Sequence, residues 1–194
     1  MGFNGEVLVG RGAAFFNALE QFWHRREEVF SEWHLRDDWL AFHVRTPTFG
    51  NEFAEFAEAA GGPVLACWVF ESDMGKIRGI SDAGYWEAWL NPDYAAYLEA
   101  SRTVDQGMRD GLTPKGVSRD DLIEEIQTEI IAESEAARPA AVAGAVAWAA
   151  QSGLEADATR IAEILAAPWK PWAQRGFFTL LPVLGLADPA IAGD

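Results

Sequence analysis

All three histidines of the chain, and three of its nine tryptophans, lie between residues 22 and 44. Imidazole titrates near neutral pH and is a common metal ligand, so the first hypothesis for this stretch is a metal or acid–base site. On a helix, His24 would share one face with Glu20, Glu27 and Glu28. A complete metal site would need carboxylates from partner helices, which no pattern in the sequence marks. We therefore interpret this face as solvated and ion-paired, and we expect no metal or other cofactor.

A second hypothesis concerns a ligand pocket around Trp39, His43 and Arg45. The pattern WLAFHV alternates as a half-buried strand does, which places Trp39 and His43 on one side of that strand. Arg45 would face the same space. Such a wall could bind an anionic ligand or supply an acid–base group, so these three are candidate ligand-binding residues and His43 is a candidate catalytic residue. The alternative is packing under a helix, or exposure on the open face of the sheet.

Two further patterns could carry catalysis. Asp73 follows an apolar run together with Glu71, which would place two carboxylates at a sheet rim, but a simple turn explains Asp73 better. The stretch VLVGRGAAF has the order of a dinucleotide loop, but Phe15 stands where a third glycine or alanine belongs. The single cysteine, Cys67, lies in an apolar run and is interpreted as a core residue. Whether the chain is an enzyme is left open.

The most charged segment is RDDLIEEIQTEIIAESE, with seven carboxylates between residues 120 and 135. One interpretation is a solvated helix face, whose first-turn acids suit the helix dipole. The other is a docking surface for a basic protein, because opposite charge speeds association. Trp169 and Trp172, which flank prolines in APWKPW, are further contact candidates since tryptophan is enriched in interface hot spots, and packing of the last helix is the alternative. The acidic residues predicted to bind the partner are Asp120, Asp121, Glu124, Glu125, Glu129 and Glu133.

Composition limits the classes of partner and compartment. Thirty acidic side chains against fifteen basic ones give a net charge of -15, which repels nucleic acids and anionic membranes and attracts basic proteins. A lone cysteine without an internal partner suits a reducing compartment. No signal peptide and no apolar run long enough to span a bilayer is visible, so we predict a cytoplasmic protein. Its oligomeric state is not encoded in any recognisable pattern.

The N-terminal half must supply the elements that position these residues. Apolar spacing predicts one helix over residues 13–34 and another that ends at Gly61. The run PVLACWVF is apolar on both faces and predicts a strand at the sheet centre, followed by a hairpin turn. Two short helices are predicted between residues 82 and 101. Together these patterns indicate a small mixed sheet of three or four strands with flanking helices.

The C-terminal half is expected to be helical. The turn-rich residues 101–117 are predicted to link an α+β domain of residues 1–100 to a helical domain of residues 118–194, with one continuous globular unit as the alternative. Ser118 with Asp121 predicts a helix start, and prolines such as Pro139 divide the rest into about four helices. The predicted fold class is therefore α+β, a small mixed sheet followed by a helical bundle.

The function hypotheses follow from charge, size and missing chemistry. The first is an acidic cytoplasmic protein–protein interaction module, such as an immunity- or antitoxin-type inhibitor of a basic partner. The second, from another class, is a small-molecule-binding protein or enzyme with its pocket at Trp39, His43 and Arg45. A third is mimicry of nucleic acid by the acidic surface, which requires carboxylates spaced like phosphates.

Overall fold

The computed structural model describes residues 3–22, 29–45, 47, 52–112 and 116–186. In these residues a six-stranded sheet combines with six helices, which confirms the α+β class with a helical C-terminal part. The strands are β1 (Gly5–Arg11), β2 (Val29–His34), β3 (Trp39–Val44), β4 (Val64–Phe70), β5 (Met74–Ser81) and β6 (Gly84–Leu90). The helices are α1 (Gly12–Phe22), α2 (Glu52–Ala60), α3 (Pro92–Arg109), α4 (Arg119–Gln151), α5 (Ala158–Ala166) and α6 (Ala173–Val183).

The sheet is larger than the sequence indicates, and all its described pairings are antiparallel. Its order is β2-β3-β1-β4-β5-β6, so PVLACWVF supplies an interior strand as predicted. Two elements differ in type: β2 lies inside the predicted 13–34 helix, and β6 replaces the helix expected after residue 82. In β6, Trp86 and Leu90 are buried at a spacing that suits a helix and a strand alike. Aromatic residues favour the strand once a neighbouring strand is available.

One face of the sheet is covered by α1 and α2. Strand alternation turns Leu8 and Phe42 toward these helices, where they meet Phe15 and Phe56 in one buried cluster. Both helices are short and amphipathic, and their apolar sides lie against the sheet.

The opposite face is covered by the second half of α4 together with α5 and α6. Trp148 is fully buried there, and its indole N–H donates to the carbonyls of Val64 and Ile80, both at 3.1 Å. Its ring also packs against Trp39, with centroids 5.6 Å apart.

Gly144 allows α4 to approach the sheet, because a Cβ there would lie 2.5 Å from the Cβ of Trp86. The cluster on this face joins residues from both halves of the chain.

The region between the two halves of the chain is a helical hairpin. Helix α3 includes residues 101–109, so that part of the predicted linker is helical, although the domain division itself stays a prediction. Helix α4 is continuous through Pro139, where a break was expected, and the described C-terminal part therefore holds three helices after residue 118 instead of about four. Burial of the alanine-rich turns after Pro139 stabilises the helix beyond the proline.

The hairpin of α3 and α4 has its own small core cluster of Ala100, Val104 and Ile123. An ion pair joins the two helices, in which the guanidinium of Arg119 donates to the carboxylate of Asp105 at 2.8 Å.

The base of the hairpin is fixed by Asn91, which has a left-handed backbone with φ of 56°. The side chain of Asn91 donates to the carbonyl of Asp73 and accepts from the backbone N–H of Trp169. Three separate segments are thus joined at the start of α3.

Candidate protein-binding surface

The first half of α4, residues 119–138, carries the acidic residues predicted to bind a partner. The hydroxyl of Ser118 accepts from the backbone N–H of Asp121 at 3.1 Å, which is the predicted helix start. Ile123 is buried toward α3, whereas the acidic side chains are exposed. The structure therefore collects on one helix surface the six predicted acids Asp120, Asp121, Glu124, Glu125, Glu129 and Glu133.

The negative charge on this surface is largely left without neutralising neighbours. Asp120 is 94% exposed and lies 3.8 Å from Arg119. Within the described part of the chain, the other five acids form no ion pair. Glu135, two residues after Glu133, is exposed and likewise forms no ion pair there. An uncompensated row of carboxylates keeps a strong negative potential in the surrounding solvent.

Large apolar side chains are also exposed on the hairpin. Leu112 is 76% exposed just beyond α3, because Gly111 takes a left-handed φ of 70° and ends the helix. Met108 in the last turn of α3, Val117 just before α4 and Tyr97 nearer the start of α3 are also exposed. Exposed apolar residues next to charged ones are the usual composition of a protein–protein interface, with an apolar centre and a polar rim.

The two predicted contact tryptophans lie between α5 and α6 and have different environments. The indole N–H of Trp169 donates to the carbonyl of Ile164 at 2.8 Å, and Gly176 leaves room for its ring. Trp172 is 45% exposed, with the guanidinium of Arg175 over its ring at 5.1 Å. The Nζ atom of Lys170 lies 3.4 Å from a carboxylate oxygen of Asp93, so this loop borders the base of the hairpin.

The candidate ligand residues Trp39, His43 and Arg45 do not come together in one open cavity. Trp39 is 1% exposed and packs against Trp148 inside the core. His43 stacks on Phe3, with ring centroids 4.0 Å apart. Arg45 is exposed just after the end of β3. Sequence alternation identified the shared side of the strand correctly, but it could not show that a helix covers Trp39.

His43 has a hydrogen bond that fixes its ring. Its Nε2 atom lies 2.9 Å from the carbonyl oxygen of Asn4 and donates to it. Burial lowers the pKa of His43 below its usual value, although the Asn4 hydrogen bond acts in the opposite direction. The neutral imidazole is therefore favoured in the folded chain.

Asp73, the other catalytic candidate, lies in the turn between β4 and β5. Its backbone N–H donates to the carbonyl of Phe70 at 3.0 Å, as a tight hairpin turn requires. The preceding residues Glu71 and Ser72 have positive φ values of 51° and 64°. Ser72 is buried, and its hydroxyl accepts from the backbone N–H of Phe3 at 2.6 Å. These bonds give the turn a structural role beside the chain's N-terminal segment.

Most of the remaining candidate residues either lie outside the described part of the chain or are buried. His24, Glu27 and Glu28 lie outside the described residues. Cys67 is fully buried, and that burial, followed by the nearby charge of Glu6, raises the pKa of its thiol well above the usual value. Phe15 of the glycine-rich stretch packs directly over Gly10. In the described residues, no group of three or more His, Cys, Asp or Glu side chains has metal-binding geometry.

Sequence reasoning missed the polar groups on the sheet. Glu6 is fully buried and accepts a hydrogen bond from the guanidinium of Arg78. On the neighbouring strand, Glu87 lies 2.9 Å from the Nζ of Lys76 and accepts from the hydroxyl of Tyr85. A glutamate inside the apolar run GEVLVG was the available signal for the first pair.

The ionisation of Glu87 follows from these neighbours. Partial burial acts to raise its pKa, but the hydrogen bonds from Tyr85 and Lys76 outweigh burial and hold the pKa below its usual value. Burial and the same contact with Glu87 raise the pKa of Tyr85. Glu87 therefore stays ionised at neutral pH and contributes a negative charge at the edge of the sheet.

Comparison of the chain with protein-family models, with curated proteins and with solved structures finds no match. Among the described residues, no helix is both long and apolar enough to cross a membrane.

Proposed function

We propose that this chain is an acidic cytoplasmic protein–protein interaction module that binds a basic partner through the α3–α4 hairpin. An immunity- or antitoxin-type inhibitor works in this way, by occupying the cationic surface that its target uses. The observation that supports the proposal best is the set of seven exposed acids on the first half of α4, six of which form no ion pair with any described residue. The single cysteine, which has no internal disulfide partner, agrees with a reducing cytoplasm.

Electrostatics accounts for how such a surface would select its partner. A negative field accelerates encounter with a positively charged protein and repels nucleic acids and other acidic proteins. The exposed apolar residues Met108, Leu112 and Val117 at the hairpin tip would then supply the desolvated contacts that slow dissociation. Long-range attraction is screened over about 8 Å at physiological ionic strength, so binding should weaken as salt is added.

The test is affinity capture from the native cell at low and high salt, comparing the wild-type chain with a charge-reversed variant. The variant carries Glu124→Lys, Glu125→Lys and Glu129→Lys, which are exposed side chains on α4. We expect the wild type to retain a basic protein that salt releases, and the variant to retain less by on the order of tenfold or more.

A matched control separates local charge from total charge. Glu55, Glu58 and Asp82 are exposed acids on α2 and the β5–β6 turn, and their replacement by lysine changes the net charge equally. This control should capture the same protein as the wild type. Equal loss in both variants, or capture that is indifferent to the α4 reversal, would overturn the proposal.

A further inference from the structure

Strand β6 forms one edge of the sheet. Within the part of the chain that the structure describes, it pairs with β5 alone. Alternate residues of an edge strand direct their backbone N–H and C=O groups away from the sheet, where another strand can pair with them. The polar backbone of β6 is therefore a template for one more strand.

A groove of about 240 Å³ runs beside this edge. Its wall on the sheet side consists of Glu87, Ala88 and Trp89, and its opposite wall belongs to α4. Pro92 and Leu165 from the neighbouring helices also line it. The groove thus offers backbone hydrogen bonds on one side and side-chain contacts on the other. An extended peptide uses both kinds of contact when it adds to a sheet.

The acidic surface of α4 leads into this groove. Glu133 lines it, and Glu129 and Glu125 precede Glu133 at intervals of four residues, so the three lie in one row along the helix. Glu87 adds a carboxylate on the opposite wall, where Lys76 partly compensates it. Arg138 is the cation among the lining residues. The two lining carboxylates, Glu133 and Glu87, outnumber that single cation, and Glu129 and Glu125 extend the negative surface beyond the groove, so the groove favours a positively charged occupant.

We propose that an extended basic segment of a partner protein adds to β6 as a further antiparallel or parallel strand, with cationic side chains directed to Glu133 and its row. This inference rests on the proposed function and specifies how the basic partner is held. A second copy of the chain is a poorer occupant, because two chains with a net charge of -15 would bring their acidic rows together. Backbone pairing supplies affinity, and the row of acids supplies selection for basic sequences.

The experiment uses the full chain and two synthetic peptides as probes. The first is a capped ten-residue peptide of alternating lysine and valine; the second has the same side chains but an N-methyl group on every amide, so it cannot donate backbone hydrogen bonds. Binding is followed by NMR, with amide hydrogen exchange measured across Gly84–Leu90. We expect the first peptide to slow exchange at alternate β6 amides and to bind at least about tenfold more tightly than its methylated form.

A pair of variants tests the role of the acidic row. Glu133→Lys should weaken binding of the unmethylated peptide severalfold. Glu135→Lys changes the net charge equally at an exposed position that does not line the groove, and it should leave binding within about twofold of the wild type. Equal weakening by both would overturn the assignment of the groove.

The outcomes separate this inference from the proposed function. Equal binding of the two peptides, with changes confined to α4, would overturn strand addition and leave the hairpin proposal standing. Absence of binding by either peptide would also overturn strand addition, while the capture experiment decides the hairpin proposal separately. Protection of β6 that grows with chain concentration in the absence of peptide would assign the edge to a second copy.

Discussion

The two halves of α4 belong to one continuous helix but have opposite surfaces. Residues 119–138 are rich in carboxylates and bury Ile123, whereas residues 139–151 are rich in alanine and bury four residues against the sheet. Small side chains let the second half approach the strands closely, and charged ones keep the first half in solvent. A single continuous helix is thus anchored in the core at one end and presents a charged surface at the other.

Stability should therefore depend on the second half and partner binding on the first. The hairpin's own cluster of Ala100, Val104 and Ile123 is small, so it supplies limited hydrophobic stabilisation. The buried half contains Trp148, which both fills the core and satisfies two strand carbonyls. Substitutions in the second half should then change the free energy of unfolding, and substitutions in the first half should change the affinity for the partner.

The largest effect is expected for Trp148→Ala. The change removes a fully buried ring and leaves the carbonyls of Val64 and Ile80 without that donor. The free energy of unfolding should fall by about 3–5 kcal/mol, as measured by chemical denaturation. A loss below about 1 kcal/mol would show that packing of the second half of α4 on the sheet contributes little to the stability of the fold.

A smaller loss of stability is expected for Gly144→Val, because the added side chain would collide with Trp86. We expect unfolding to become easier by about 1–3 kcal/mol in the same denaturation assay. Gly107→Ala is the matched control in α3, where an added Cβ would meet no atom within 4 Å. Alanine should stabilise that helix by about 0.5–1 kcal/mol. Destabilisation at both positions would mean that glycine is needed for helix geometry and not for close packing.

Parts of the fold were predictable from local patterns. The alternation of β3 and the helical spacing of the glycine-terminated α2 each have one dominant period, and β4 is a continuous apolar run with clear boundaries. For β6, the residues Trp86 and Leu90 satisfy both periods in a seven-residue element, so its pairing with β5 decided its type. Pro139 was misleading because tertiary burial of the following turn stabilises a helix that its local sequence would interrupt.

The charges of the candidate surface were predictable from the sequence, but the apolar residues and the groove that adjoin it were not. Helical spacing placed the acids of α4 on an exposed surface, and Ser118 marked where that helix starts. The exposed Leu112 and the groove beside β6 depend on which elements pack together, which no local pattern specifies. The burial of Trp39 under α4 was unpredictable for the same reason. A strand pattern shows which residues share one face of the sheet, but it does not show which element covers that face.

Hydrogen–deuterium exchange of the full chain, alone and with the basic protein that it captures, shows directly whether the hairpin holds the partner. We expect the partner to slow exchange in residues 92–112 and 116–138 and to leave exchange unchanged in residues 139–151, whose buried side packs on the sheet. Protection centred on another surface, such as α2, with no change in the hairpin, would contradict this expectation.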